Sequence, residues 1–267
     1  MFTHWLTLWN LQVDGELIKT HNAQLLPVLC DGAPLMLKLA GVEEERRGAE
    51  LMQWWDGDGA AQVVARQDDA LLMERACGTQ NLMSMVNNGQ DDEASEIICR
   101  VISRLHRART YQAPPLETLS QRFGALRSAV LQSHDPLLSL CGVMAEQLLS
   151  DPLEEVVLHG DIHHGNILNF EARGWLAIDP KGLYGERGYD YANLFCNPEL
   201  SIATKRPRFL RRLEVVTQTA KIEKQRLLMW IMAHAGLSAA WFLEDDDLDL
   251  FAGRMAIAKL AADEMGC

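Results

Sequence analysis

The sequence predicts an α+β chain in two lobes, a small N-terminal antiparallel sheet with one helix followed by a larger, mainly helical lobe. Three observations carry this. Short apolar runs bounded by turn residues fill roughly the first 75 residues. Beyond Gly78, apolar residues recur at steps of three and four, the period of a buried helical face. That period breaks once, where a strand, a loop and a hairpin follow one another between Glu155 and Asp179.

In order, "ELIKT", "LLPVL", "LMLKLA" and "ALLMER" read as strands, with "CDGAP" as a hairpin loop between the second and third. A helix from about Glu43 to Trp55 interrupts them, weakened by Gly48 and ended by Asp56 to Gly59. The predicted order is strand, strand, strand, helix, strand. Ala94, Ile97, Ile98, Val101, Ile102 and Leu105 then make one helical face. Leu116, Leu119, Phe123, Leu126 and Val130 make a second after Pro114 and Pro115, and Leu137 to Leu149 a third. "EVVLHGD" reads as a strand entering a loop; "NILNF", "EARG" and "WLAID" read as a hairpin that brings Asn166 and Asp179 into one neighbourhood. From Pro207 the chain returns to helices, with apolar stretches from Leu227 to Phe242 and from Leu248 to Met265. The lobes divide into residues 1–76 and 77–267.

The formal net charge of -12 disfavours nonspecific attraction to nucleic acid and to anionic lipid, and favours a cationic partner. No apolar run approaches the roughly 18 residues that span a bilayer, and the first residues lack a basic segment and a cleavage site. A cytoplasmic protein is expected. Six scattered cysteines without a CxxC pair read as reduced thiols and argue against structural zinc.

The chemistry concentrates in "LHGDIHHGNIL", Leu158 to Leu168. Phosphoryl transfer from a nucleotide needs a base for the accepting hydroxyl and oxygen ligands for magnesium. Asp161 can take the proton, while Asn166 and Asp179 can hold the metal. The spacing is that of a protein-kinase catalytic loop and its metal-binding aspartate, with "HGDIHHGN" in place of H-R-D-x-x-x-x-N and "IDPKG" in place of the DFG segment. A dinuclear metal hydrolase is the rival, because His159, Asp161, His163 and His164 are all potential ligands. It would also need an early D-x-H and a later G-N-H-D or G-N-H-E, which do not occur. His159 taken alone also reads as a brace for the loop.

A kinase site further requires a strand lysine on the nucleotide phosphates and a helix carboxylate that holds it. Lys38 is the only lysine inside an apolar run of the N-terminal region. Glu43, Glu44, Glu45 and Glu50 are available as partners, and Glu45, in the first turns of the helix, is selected. "ALLMERACG" supplies a link between lobes, where Met73 would line the adenine pocket and the backbone from Glu74 to Ala76 would pair with the adenine edge. No G-x-G-x-x-G precedes Lys38, so Thr20 to Gln24 must cover the phosphates. That absence, with the absence of A-P-E, argues against a protein kinase acting on Ser or Thr. A catalytically silent nucleotide binder is the other alternative, opposed by the joint presence of Lys38, Asp161, Asn166 and Asp179.

"LHGDIHHGNIL" with "GWLAIDPKGLYGERGYDYANLF" resembles the aminoglycoside phosphotransferases of the kinase-like superfamily, in particular the streptomycin 6-phosphotransferases grouped with hydroxyurea-type kinases. "ELMQWWDGDGAA", "ALLMERACG" and "GLSAAWF" are similar to segments of the same subgroup, so the resemblance spans almost the whole chain. It implies a bilobal protein-kinase-like fold and ATP-dependent phosphorylation of a small-molecule hydroxyl, by analogy the 6-hydroxyl of streptomycin, or else of another small alcohol or hydroxyurea. It implies Asp161 as base, Asn166 and Asp179 as Mg2+ ligands, Lys38 on the phosphates, Glu45 bracing it, and Asp190 supporting the catalytic loop from below. Streptomycin carries guanidinium groups, so carboxylates are expected in the acceptor site. The run Glu244, Asp245 and Asp246 between two predicted helices can supply them; it also reads as a solvated loop. Trp230 and Trp241 can stack on a guanidinium, although at helical spacing they also read as core.

Overall fold

The computed structural model describes residues 2–267. Its N-terminal part runs α1 (Phe2–Leu8), β1 (Gln12–Val13), β2 (Ile18–Lys19), β3 (Gln24–Cys30), β4 (Ala33–Leu39), α2 (Glu43–Trp55), β5 (Val63–Gln67) and β6 (Ala70–Glu74). The strands form one antiparallel sheet in the order β1-β3-β4-β6-β5, with β2 also paired to β3. The β3–β4 turn is the predicted one, and both Asp31 and Gly32 take positive φ there, as a two-residue hairpin requires.

Alternation along β4 gives the sheet two different faces. Leu35, Leu37 and Leu39 pack with Leu26, Val28 and Leu72 under Phe2, Trp5, Leu6 and Trp9 of the N-terminal segment. Met36 and Lys38 face the other way, toward α2 and the C-terminal part. Helix α1 therefore covers the outer face of the sheet, and it was not predicted. Its apolar residues at positions 2, 5, 6 and 9 carry the helical spacing that would have found it. Strand β5 was missed for another reason: it is an edge strand, mostly exposed, whose apolar residues are confined to its first three positions without alternation. Helix α2 has the predicted bounds; three glutamates open it and Asp56, in the left-handed region, ends it.

The C-terminal part contains α3 (Leu82–Asn87), α4 (Asp91–Leu105), β7 (Glu117–Thr118), α5 (Leu119–Arg122), α6 (Gly124–Gln132), α7 (Pro136–Ser150), β8 (Glu155–Leu158), β9 (Ile167–Asn169), β10 (Trp175–Ala177), β11 (Leu183–Glu186), α8 (Gly188–Ala192), α9 (Leu200–Ala203), α10 (Arg206–Ala220), α11 (Lys224–Glu244) and α12 (Leu248–Met265). A 3-10 turn, Asn193–Cys196, follows α8, and another, Glu171–Arg173, joins β9 to β10. The second predicted helical face is split into α5 and α6, with a capping box at Thr118 and Gln121 starting the first. Helix α11 is long and apolar enough to cross a bilayer, but most of it is buried as the core helix of this part, between α7 and α12.

Strand β9 pairs antiparallel with β10, so Ile167 faces Ala177 in register and the residues just outside, Asn166 and Ile178, meet as well. The Gly59–Ala61 segment adds to β10 through hydrogen bonds with Ala177, tying the N-terminal part to the hairpin. Gly48 of α2 lies against the chain beside Asp179: a Cβ there would stand 2.1 Å from the Pro180 carbonyl oxygen. The glycine that weakens the helix prediction is what lets α2 approach this segment.

Candidate active site

The loop from His159 to Asn166 connects β8 to β9, and its backbone is held from below by one buried carboxylate. Asp190 of α8 accepts from the His159 N–H at 2.9 Å and the Gly160 N–H at 2.8 Å, and His106 at the end of α4 donates to it at 2.8 Å. Burial alone would raise the Asp190 carboxyl; the His106 bond and the other partners outweigh it and keep the group ionised below the usual carboxylate range. Gly160 has φ +88, and a Cβ there would meet Leu183 at 2.8 Å, so the turn into Asp161 needs a residue without a side chain.

His159 is fully buried, and its ring bridges the loop to the hairpin. Its Nδ1 accepts from the Asp161 N–H at 3.2 Å and its Nε2 donates to the Ile178 carbonyl at 2.9 Å. Burial lowers its pKa, in keeping with the neutral tautomer those two bonds demand. His164 points elsewhere, into a buried contact with Arg212 at 3.4 Å, and burial with the nearby arginines depresses it to about 2. His163 is the one histidine beside the Asp161 carboxylate, at 3.9 Å. The three histidines diverge, which is not the convergence a dinuclear metal cage requires.

Asp161 presents a carboxylate that is one-third exposed. Asn193 of the 3-10 turn donates to its Oδ1 at 3.1 Å, and Asn166 donates through Nδ2 to its backbone carbonyl at 3.0 Å. The Asn166 carbonyl accepts from Ile178, which sets Asp179 next to this loop. Asp179 is itself at φ +61.

A compact ion cluster joins the two parts. Lys38 is buried in β4 and paired with both Glu45 and Asp179. Of the four glutamates considered, Glu45 alone reaches it; Glu43 pairs with Arg46, Glu44 with Arg122 and Glu50 with Arg66. Lys181, two residues past Asp179, adds a second cation, 3.3 Å from Glu45, 3.4 Å from Glu44 and 3.6 Å from Asp179. Burial would raise the Asp179 carboxyl, but Lys38 and Lys181 hold it at about 2. Burial would lower Lys181, yet Asp179, Glu45 and Glu44 hold it well above the ordinary lysine value. The donors that Asn166 and Asp179 offer are oxygens, the set a hard cation such as magnesium takes together with phosphate oxygens.

At the link between the parts, Met73 is buried with Met36, Leu168 and Ile178. Glu74 uses its N–H on Gln62 and its carboxylate on Arg173; Arg75 uses its N–H on Pro34. Among the described residues the Ala76 N–H has no partner, so of the three only Ala76 keeps its donor for a ligand.

Beside Asp161 lies a cavity of about 310 Å³, walled by Arg122, Lys181, Asn193, His234, Trp241 and Arg254 among others. Trp230 is core: it packs against Phe123 and Tyr189 and donates to Glu186. Trp241 is half-buried on the cavity wall with the Arg122 guanidinium over its ring, 4.9 Å from the centroid. The structure does not bring Glu244, Asp245 and Asp246 into the cavity. They are exposed at the end of α11, about one turn beyond Trp241, because the helix axis carries them past the wall. Sequence reasoning missed Lys181, Asn193, His106 and His234. The first two stood inside quoted motifs, "IDPKG" and "YDYANLF"; His106 and His234 had no local signal.

The chain matches the aminoglycoside/hydroxyurea antibiotic resistance kinases over residues 8–246. It is 47% identical over 242 residues to streptomycin 3''-kinase of Klebsiella pneumoniae, covering 89% of this chain and 90% of that one. It is 31% identical over 271 residues to streptomycin 6-kinase of Streptomyces griseus, covering 95% and 86%. Among solved structures, a thermostable mutant of aminoglycoside phosphotransferase APH(4)-Ia, in a ternary complex with ADP and hygromycin B, shares the fold. It has a TM-score of 0.66 at 12% identity, over 98% of this chain and 97% of that one. With a match across nine-tenths of its length, this chain belongs to the aminoglycoside/hydroxyurea antibiotic resistance kinase family and is a small-molecule phosphotransferase.

Proposed function

We propose that this kinase transfers the γ-phosphoryl group of ATP to streptomycin, and to its 3''-hydroxyl rather than its 6-hydroxyl. The 47% identity to a streptomycin 3''-kinase supports streptomycin as acceptor and favours the 3''-position, where the sequence resemblance and the 31% identical relative favour the 6-position. The observation that carries the chemistry is the placement of Asp161 between the cavity of about 310 Å³ and the ion cluster of Lys38, Lys181 and Asp179. In this reading the nucleotide lies between lobes of residues 1–76 and 77–267, with Met73 lining the adenine pocket, the Glu74 carbonyl and the Ala76 N–H pairing with the adenine edge, and Thr20 to Gln24 covering the phosphates.

In this reading Asp161 accepts the proton of the acceptor hydroxyl as that oxygen bonds to the γ-phosphorus and the bond to the β,γ-bridging oxygen breaks. Asn193 holds the Asp161 carboxylate by its Oδ1, and Asn166 and Asp190 hold its backbone. Lys38, braced by Glu45, and Lys181 neutralise phosphate charge in a site whose groups are already in place, so little reorganisation accompanies transfer. Asn166 and Asp179 are the residues that would hold magnesium, which would supply positive charge to offset that of the phosphates.

ADP release measured over a panel of streptomycin, other aminoglycosides, hydroxyurea and small alcohols tests the proposal. Streptomycin is expected to be the best acceptor. Turnover of another panel member with none of streptomycin would remove the acceptor and leave the family assignment intact.

A further inference from the structure

The stretch "YDYANLFCNP", Tyr189 to Pro198, places two asparagines four residues apart, on one side of a single helical turn. Asn193 opens the 3-10 turn after α8, and Asn197 ends it, where the backbone becomes extended at φ -130 and ψ 159. The carbonyls at the end of this turn face α10 and α12. Buried Arg212 donates to the Leu194 and Asn197 carbonyls, Arg208 also reaches Asn197, and Arg254 donates to Cys196 at 2.8 Å. Arg208 and Arg212 share Asp91 of α4 as counter-ion. The backbone of Asn197 is therefore fixed by three helices, and its side chain stands on a rigid base.

That side chain is aimed back at Asn193. Its Nδ2 donates to the Asn193 carbonyl at 2.9 Å and to Asn193 Oδ1 at 3.2 Å. A backbone carbonyl only accepts, so this end of Asn197 is its NH2. The end of Asn193 that faces it is then the oxygen, and the opposite end, a donor, meets Asp161 Oδ1 at 3.1 Å. An ionised carboxylate also requires a donor there, so the two contacts agree on one orientation of the Asn193 amide. An amide held at one end swings about its side-chain torsions; held at both, it presents one fixed donor. Asp161 Oδ1 is thereby taken, and Oδ2, 3.9 Å from His163, is the oxygen left for an acceptor hydroxyl.

We propose that Asn197 is a positioning residue for phosphoryl transfer: it sets the Asn193 amide, which sets the rotation of the Asp161 carboxylate, a role that rests on Asp161 being the base. Proton transfer by a positioned group tolerates little misplacement. Asn197→Asp is the most informative change, since it keeps the shape and removes the donor. Two carboxylates then face opposite ends of one amide that donates from only one end. Asn193 can satisfy only one of them at a time, and the hold on Asp161 is lost whenever it turns to the other.

The test is a double-mutant cycle in kcat, with ATP and the best acceptor of the panel both saturating. Asn197→Asp should lower kcat by about 30-fold and Asn197→Ala by about 10-fold, with the KM for ATP unchanged. In an Asn193→Ala background both substitutions should change kcat by less than about 2-fold, because the residue they act through is gone. Urea unfolding checks that each variant is folded, and the isosteric Asn197→Asp carries the cycle if Asn197→Ala is not. Asn197 also lies on the cavity wall, so the KM for the acceptor is read alongside. A loss confined to that KM would make Asn197 an acceptor contact and overturn the inference. Equal losses in the two backgrounds, or a wild-type kcat in Asn197→Asp, also overturn it. Asp161→Asn in the same assay separates the two levels: full turnover there removes the base and this inference with it, whereas lost turnover beside a wild-type kcat in Asn197→Asp removes the inference alone.

Discussion

Asn193 Nδ2 donates to Asp161 Oδ1 at 3.1 Å, so the 3-10 turn after α8 holds the carboxylate whose backbone Asp190, three residues earlier, supports. One short segment thus governs both the height and the rotation of the proposed base. Asn193→Ala should lower kcat by about 10- to 100-fold with the KM for ATP unchanged, because it frees the rotation and spares the nucleotide site. Asp161→Asn should cost about 1000-fold or more. Steady-state kinetics with both substrates varied checks this; an Asn193→Ala variant with wild-type kcat would separate the contact from catalysis.

Lys38 and Lys181 share Glu45 and Asp179, so the cluster has two cations and two main anions. Lys38→Met should raise the KM for ATP and cut kcat by about 100-fold, as expected for loss of a preorganised charge on a transferring phosphoryl group. Glu45→Gln should be milder, roughly 10-fold, because Asp179 still holds Lys38 in place. Equal losses in the two variants would mean that Glu45 does more than brace the lysine.

Gly48→Ala improves intrinsic helix propensity by about 1 kcal/mol, and on an open helix face it would stabilise. Here the new Cβ would stand 2.1 Å from the Pro180 carbonyl oxygen, a backbone atom that cannot step aside alone. The variant is expected to lose about 2 kcal/mol or more in urea unfolding and to lose activity as Asp179 shifts with Pro180. Unchanged stability would show that α2 can move away without cost.

His164 and His234 are buried neutral, with pKa values pushed to about 2 and about 3 by burial and nearby arginines. In the unfolded chain each takes up a proton near its ordinary value of 6.5, so unfolding binds protons below that pH. Stability is therefore full above pH 6.5 and falls as the pH drops toward 3. At pH 5 each histidine contributes a loss of about 2 kcal/mol. Denaturant melts from pH 7 to pH 5 should show the decline, and His234→Phe should flatten it by about half; a flat profile in the wild type would mean that these rings are protonated in the folded state.

Much of the site was legible before any fold was known. The catalytic loop and hairpin were readable because Asp161, Asn166 and Asp179 lie within one local supersecondary unit, where strand period and turn chemistry dictate proximity. Lys38 was readable because a lysine in an apolar strand demands a partner, and helix α2 because its caps and period agree. Helix α1 escaped although its spacing was present, and β5 escaped because its apolar residues do not alternate with polar ones, as an exposed edge strand permits.

The sequence by itself determined the reaction class and which residue types share the central loop and hairpin, since phosphoryl transfer requires certain residue types at short, regular spacings. Tertiary structure alone decided what met across long separations: which glutamate reached Lys38, that Lys181 joined the cluster, that His106 anchored Asp190, and that His234 and Arg254 walled the cavity while Glu244 to Asp246 stayed outside. These depend on how α4, α11 and α12 pack, and helix packing is set by the summed fit of many core side chains, which no short stretch of sequence encodes.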